Sequence, residues 1–160
     1  MPQRICKIFL DSNVILSGLI SDKGPPRIIL DVLSLRLPFI TGSTGKYNLI
    51  EIERNLKKKM PGLLSVYKRY LPKLYLKIIP LPRPAEVREY SGQITDKNLP
   101  VLVSAIRGKA DFLVTGDKQH FERLKSSKKY PFKIVTPSEF IDDVLPEIIK
   151  GVAQEITRSG

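Results

Sequence analysis

Residues 7–18 read KIFLDSNVILSG, and residues 110–121 read ADFLVTGDKQHF. The two stretches share one logic. Each is a short apolar run that ends in a carboxylate beside small polar residues, Asp11 in the first and Asp117 in the second. In open α/β sheets, functional groups gather outside the carboxyl ends of the strands. Two such strands, central and parallel, bring both acids to one cleft, so the reading of these segments decides the fold.

Outward from them, short β-branched or aromatic runs alternate with helix-like segments. The runs predict strands at Ile5–Leu10, Pro38–Thr41, Leu76–Leu81, Asp111–Thr115 and Lys133–Val135. Helical patterns cover Arg27–Arg36, Lys46–Lys59, Leu63–Leu71, Leu99–Arg107, Lys118–Ser126 and Pro137–Lys150. Such alternation predicts a parallel sheet covered by helices on both faces. The last helix is the best signed, with Thr136 as N-cap, Pro137 in the first turn and Glu139 completing a capping box. Pro146 conflicts with a straight continuation and implies a kink or an early stop. LPRPAEVREYSG (81–92) reads as a loop, and GVAQEITRSG (151–160) as a flexible tail behind a single domain over residues 1–150.

The chain has 160 residues, 42% of them hydrophobic, which is enough for one core. No apolar run approaches the roughly 18 residues of a membrane span. MPQRICKIFLDSN lacks a signal-peptide pattern, so the expected location is cytoplasmic. With one cysteine, Cys6, and one histidine, His120, neither a disulfide framework nor a thiolate or imidazole metal cluster can be built. Any metal here takes oxygen ligands. Lys and Arg number 27 against 16 Asp and Glu, for a net charge of +11. Between Lys46 and Arg83 ten basic residues stand against two acidic ones, so this segment carries most of the excess. Charge segregated in this way points to a polyanionic partner.

Converging carboxylates raise each other's pKa unless a cation lies between them. Mg²⁺ or Mn²⁺ prefer oxygen ligands and are the natural occupants. A metal site beside a basic surface suggests phosphodiester hydrolysis, in which the metal generates hydroxide and neutralises charge on the phosphate. Taken singly, Asp11 reads equally well as a helix N-cap before SNVILSG, and Asp117 as a turn residue in TGDK. Taken together, they favour a shared site.

FLDSNVILSG (9–18), LIEIERNL (49–56) and ADFLVTGDKQHF (110–121), in this order and spacing, resemble the PIN-domain family, and most nearly its prokaryotic branch of toxin nucleases related to VapC. The likeness runs from about Lys7 to Leu145 and includes KGPPRIIL (23–30) and VTPSEFI (135–141). It implies a PIN-like three-layer α/β/α sandwich with a central parallel sheet of about five strands. It also implies Mg²⁺- or Mn²⁺-dependent cleavage of RNA, frequent homodimers and, in toxin members, an antitoxin partner that blocks the site.

Carried onto this chain, the resemblance makes Asp11 the first acidic ligand and Asn13 the polar residue that orients it. Thr115 and Asp117 match the Thr-x-Asp element at the end of the fourth strand. For the second acidic residue, register against E-x-x-x-x-L favours Glu51 with Leu56, while a helical wheel puts Glu53 nearer the Leu49–Ile52–Leu56–Met60 stripe. Glu51 is the choice. The third acidic position departs from the family pattern: Asn98 stands there, with Asp96 two residues earlier. An amide carbonyl ligates without charge, so divalent metal should bind more weakly. Asn98 also suits a helix N-cap.

The resulting expectation is a metal-dependent ribonuclease. Asp11, Glu51 and Asp117 hold the metal, Asn98 or Asp96 completes the shell, and Thr115 and Asn13 orient the ligands. Lys57, Lys58, Lys59, Lys68, Arg69 and Lys73 grip RNA, with Lys118 placed to touch a phosphate. His120 reads as structural, since nothing in the sequence orients it as a base. Tyr67 and Tyr70 lie on an apolar stripe and read as core. One alternative is a non-catalytic RNA-binding or scaffolding PIN domain with a metal site weakened at Asn98. A phosphatase with Asp11 as nucleophile is disfavoured, because DSNVI lacks a second aspartate two residues on.

Overall fold

The computed structural model describes residues 4–121 and 130–159. Five parallel strands form one sheet: β1 Cys6–Leu10, β2 Ile40–Gly45, β3 Lys77–Ile79, β4 Phe112–Val114 and β5 Lys133–Val135, in the order β3-β2-β1-β4-β5. Parallel neighbours need crossover connections, and helices supply them. These are α1 Ser12–Ile20, α2 Pro25–Ser34, α3 Lys46–Lys59, α4 Leu64–Tyr70, α5 Pro84–Glu89 and α6 Leu99–Arg107. A last helix, α7, starts at Pro137–Glu139, passes through a π-turn at Phe140–Val144 and continues as Leu145–Ser159. None of the described helices is long and apolar enough to cross a membrane.

Side chains on a strand alternate between the two faces, and β1 shows why the sheet is covered on both. Ile8 and Leu10 enter the core built with α1 to α4 and α7, whereas Phe9 enters the one built with α6. The result is the expected α/β/α sandwich. The pairing Ile8↔Phe112 to Leu10↔Val114 keeps β1 and β4 level at their carboxyl ends. Asp11 extends the ladder by donating its N–H to the Val114 carbonyl at 3.0 Å.

The sequence reading misplaced several elements. The strand expected at Pro38–Thr41 is Ile40–Gly45, because ITGSTG looks like a loop yet lies between β1 and β3. Its small polar residues serve the packing. A Cβ at Gly42 would stand 2.8 Å from both Leu33 and Leu76. The Thr44 hydroxyl donates to the Leu10 carbonyl at 2.8 Å. Leu76–Leu81 contracts to Lys77–Ile79. Helix α1 was read only as a possibility behind Asp11, and the loop read at residues 81–92 contains α5, with Pro84 at its start. Pro146 does not stop α7, which continues to Ser159. The π-turn one residue before Leu145 widens the helix ahead of the proline ring, which has no N–H to place. Residues 151–159, read as a tail, continue α7. Of the helix expected at Lys118–Ser126, residues up to Phe121 are helical and the remainder lies outside the described residues.

Helices α1 and α2 meet through Gly18, where a Cβ would stand 2.5 Å from Leu30 Cδ1 and 3.1 Å from the Pro26 carbonyl. Leu30 is fully buried and Pro26 contributes backbone, so neither yields freely. Gly18→Ala should therefore destabilise the protein by about 1–3 kcal/mol in denaturant unfolding, despite alanine's higher helix propensity.

Candidate active site

Helix α1 begins at Asp11, whose extended backbone makes it the N-cap. Its carboxylate is 6% exposed and held on both oxygens. Oδ1 accepts from the Ser12 N–H at 2.8 Å and from Asn48 Nδ2 at 3.2 Å. Oδ2 accepts from the Thr115 hydroxyl at 2.9 Å. The N-cap is thus also bound by side chains from α3 and from the end of β4.

The other acids approach from α3 and from the turn after β4. Glu51 accepts from the Ser12 hydroxyl at 3.1 Å, one link away from Asp11. Thr115 Oγ1, besides donating to Asp11, accepts from the Asp117 N–H at 3.0 Å. Burial holds the Asp11 carboxyl above its ordinary range; hydrogen bonds from Thr115 and Ser12 work against this, while the charges of Glu51 and Asp117 reinforce it. The sheet thus brings together Asp11, Glu51 and Asp117. Glu53 takes another direction: its charge acts on Tyr67, whose hydroxyl is pushed up to about 12, first by burial and then by Glu53.

Asn48 and Ser12 went unnoticed in the sequence. Asn48 is fully buried at the first turn of α3. Its Nδ2 donates also to Ser12 Oγ at 2.9 Å, and its Oδ1 accepts from the Gly45 N–H at 3.3 Å. The available signal was its spacing: three residues before Glu51, it shares that residue's helix face. Asn13 does not orient Asp11. Its Oδ1 accepts from the Gly116 N–H at 2.9 Å and so fixes the Thr115–Asp117 turn. Asn13, Gly116 and Asp117 line a cleft of about 280 Å³.

Asn98 is buried in a 3₁₀ turn, Asp96–Asn98, and donates through Nδ2 to Thr95 Oγ1 at 3.2 Å. It occupies the N-cap position of α6, but its side chain makes no capping bond. Asp96 is exposed. The Tyr47 hydroxyl donates to the Lys97 carbonyl at 3.2 Å, tying this turn to the start of α3. Lys118 is committed to Glu139 (2.9 and 3.0 Å), joining the turn after β4 to α7. His120 Nδ1 stands 2.5 Å from Asp117 Oδ1, so the histidine has an orienting partner after all. Lys57, Lys58 and Lys59 end α3, roughly 9–12 Å along the axis from Glu51. Lys68, Arg69 and Lys73 extend the exposed basic surface over α4 and the turn after it.

The donors fit an oxygen-seeking cation. Among the described residues no three His, Cys, Asp or Glu side chains are gathered closely enough to cage an ion. Mg²⁺ does not need such a cage; it keeps several waters and takes one or two carboxylates directly. A buried carboxylate with two acidic neighbours matches that demand.

A model of the PIN domain family matches residues 7–119. No curated protein sequence matches. Among solved structures, the chain is similar to VapBC2 from Rickettsia felis bound to a promoter DNA fragment, at 18% identity and TM-score 0.57, covering 81% of this chain and 98% of that one. It is similar also to DNA-bound VapBC from Salmonella typhimurium, at 14% and 0.59, covering 83% and 99%. FitAcB from Neisseria gonorrhoeae matches at 18% and 0.57, covering 81% and 97%.

Proposed function

The chain belongs to the PIN domain family, and from that premise we propose that it is a metal-dependent ribonuclease acting at Asp11, Glu51 and Asp117. The observation that carries the reading is the convergence of Asp11 and Asp117, beyond the carboxyl ends of β1 and β4, with Glu51 from α3, the buried Asp11 carboxyl being raised first by its burial and then by the charges of Glu51 and Asp117. Asp11 with Glu51 or Asp117 would hold Mg²⁺ or Mn²⁺ directly, the remaining carboxylate and Asn98 or Asp96 acting through the ion's waters, and the ion would supply hydroxide at neutral pH and charge neutralisation at the phosphate. Ser12, Asn48 and Thr115 orient Asp11. Lys57, Lys58, Lys59, Lys68, Arg69 and Lys73 bind the RNA backbone electrostatically. The resemblance to toxin nucleases supports an antitoxin partner, a homodimer and a cytoplasmic setting.

One observation favours the second reading, a non-catalytic RNA-binding domain. Asn98 is an amide where the family pattern has an aspartate. The test is cleavage of end-labelled single-stranded RNA with Mn²⁺, Mg²⁺ or EDTA, by the parent and by Asn98→Asp. Metal-dependent cleavage by the parent supports the nuclease. Activity in Asn98→Asp alone assigns the defect to one missing charge. Silence from both, with RNA still bound, gives the second reading. In an active parent, Thr115→Val should cost about 10–100-fold in kcat/KM, because it removes a hydroxyl that positions Asp11.

A further inference from the structure

The amino edge of the sheet, opposite the acidic cleft, carries features that the proposed chemistry does not use. Among the described residues, three other than glycine hold the left-handed backbone: Arg36 (φ 52°), Tyr75 (φ 52°) and Lys109 (φ 53°). Each follows a helical segment and precedes a strand: α2 before β2, the 3₁₀ turn Leu71–Leu74 before β3, and α6 before β4. Glycine is the usual occupant of such a position, because a Cβ there crowds the following carbonyl. The chain instead spends these positions on a guanidinium, a phenol and an ammonium. Cations complement a helix C-terminus, which accounts for Arg36 and Lys109 but not for Tyr75.

Two of these side chains, those of Arg36 and Tyr75, come together. The Arg36 guanidinium lies 4.4 Å from the centroid of the Tyr75 ring, and Tyr75 is 53% exposed. The pair borders a cleft of about 250 Å³ whose wall includes Leu37 and Pro38. Thr41 and Gly42 belong both to this cleft and to a recess of about 60 Å³ lined by Lys7, Lys77 and Gly108, the neighbour of Lys109. Among the described residues, no acidic side chain lines either one. The Arg36–Tyr75 pair thus borders a cleft that shares Thr41 and Gly42 with a recess lined by Lys7 and Lys77, while the nearby Asp111 carboxylate is taken up by Arg4 and the Lys7 N–H.

We propose that this edge is a second binding surface for single-stranded RNA, with an unpaired base stacking on the Arg36–Tyr75 pair and flanking phosphates on Lys7, Lys77 and Lys109. The inference rests on the ribonuclease reading above. Aromatic rings and guanidinium planes accept any base, and lysines meet the backbone. The five residues of β1 alone span about 17 Å, so the surface lies well away from the nucleotide being cut and serves longer RNA.

The experiment measures fluorescence anisotropy of labelled RNA, long and very short, on the Asp11→Asn chain in EDTA, so that nothing is cleaved. Adding Tyr75→Gly, Tyr75→Leu or Arg36→Gly should weaken binding of the long RNA about tenfold. Tyr75→Phe should retain it, and the short RNA should be indifferent to all four. The glycine variants should not lower Tm, since glycine relaxes the backbone there. Lys77→Gln should reduce the slope of log K against log salt by about 0.7. If Tyr75→Leu and Arg36→Gly bind long RNA like their Asp11→Asn parent, the surface is overturned and the ribonuclease reading stands. If the glycine variants lose stability while affinity is unchanged, the pair is structural and the inference falls. If the Asp11→Asn chain binds no RNA and the unmutated chain cleaves none, both fall.

Discussion

Asp11→Asn is expected to abolish metal-dependent RNA cleavage, with a loss on the order of 10³-fold or more in kcat/KM. Asparagine matches aspartate in size, so the change isolates charge and hydrogen-bond polarity. An amide replaces one oxygen that now accepts from Thr115, Ser12 or Asn48, placing donor against donor in a buried site. The same variant has a second readout. Burial raises the Asp11 pKa in the folded state above its ordinary value of 3.8. The native state therefore holds a proton that the unfolded chain has already released, and stability falls as pH rises from that ordinary value through the raised one. In EDTA the parent should lose stability with rising pH over this window relative to Asp11→Asn, and chemical denaturation across pH measures it. Parallel profiles would mean that Asp11 is not held above its ordinary range, and retained cleavage would remove it from the reaction.

Glu51→Gln should reduce cleavage about 100-fold, whereas Glu53→Gln should leave it within about twofold. The two glutamates differ by two residues on one helix, yet only Glu51 meets Ser12 and raises the Asp11 pKa. Glutamine at 51 still accepts from Ser12, so its loss would report charge rather than position. Glu53→Gln has its own signature, a downward move of the Tyr67 pKa from about 12, readable by ultraviolet titration. Equal losses in both variants would remove Glu51 from its assigned place; a large loss in Glu53→Gln alone would transfer the role.

The choice between Glu51 and Glu53 shows where sequence patterns stop. A helical wheel identifies the stripe that enters the core, and Leu49, Ile52 and Leu56 do enter it. A residue at a cleft lies at the margin of that stripe, where it touches α1 and not the sheet. Periodicity cannot say which neighbour waits at the margin. Asn48 was missed for the same reason, being buried at 0% exposure beside Asp11 through a contact 37 residues distant in sequence.

By itself the sequence determined the parallel sheet and its two acidic edge residues, because apolar runs of strand length ending in Asp11 and Asp117 carry their own periodicity and their own stop. It also determined that neither a disulfide framework nor a thiolate or imidazole cluster can be built, and that basic residues are in excess, since these depend on which side chains exist. Only the tertiary structure decided that ITGSTG is a central strand, where packing under Leu33 and Leu76 overrides weak strand propensity. It alone turned Asn13 toward Gly116, committed Lys118 to Glu139 and joined Arg36 to Tyr75. Those pairings link residues up to 103 positions apart. Their partners are set by which strand ends lie side by side, a property of the folded sheet that no local pattern contains.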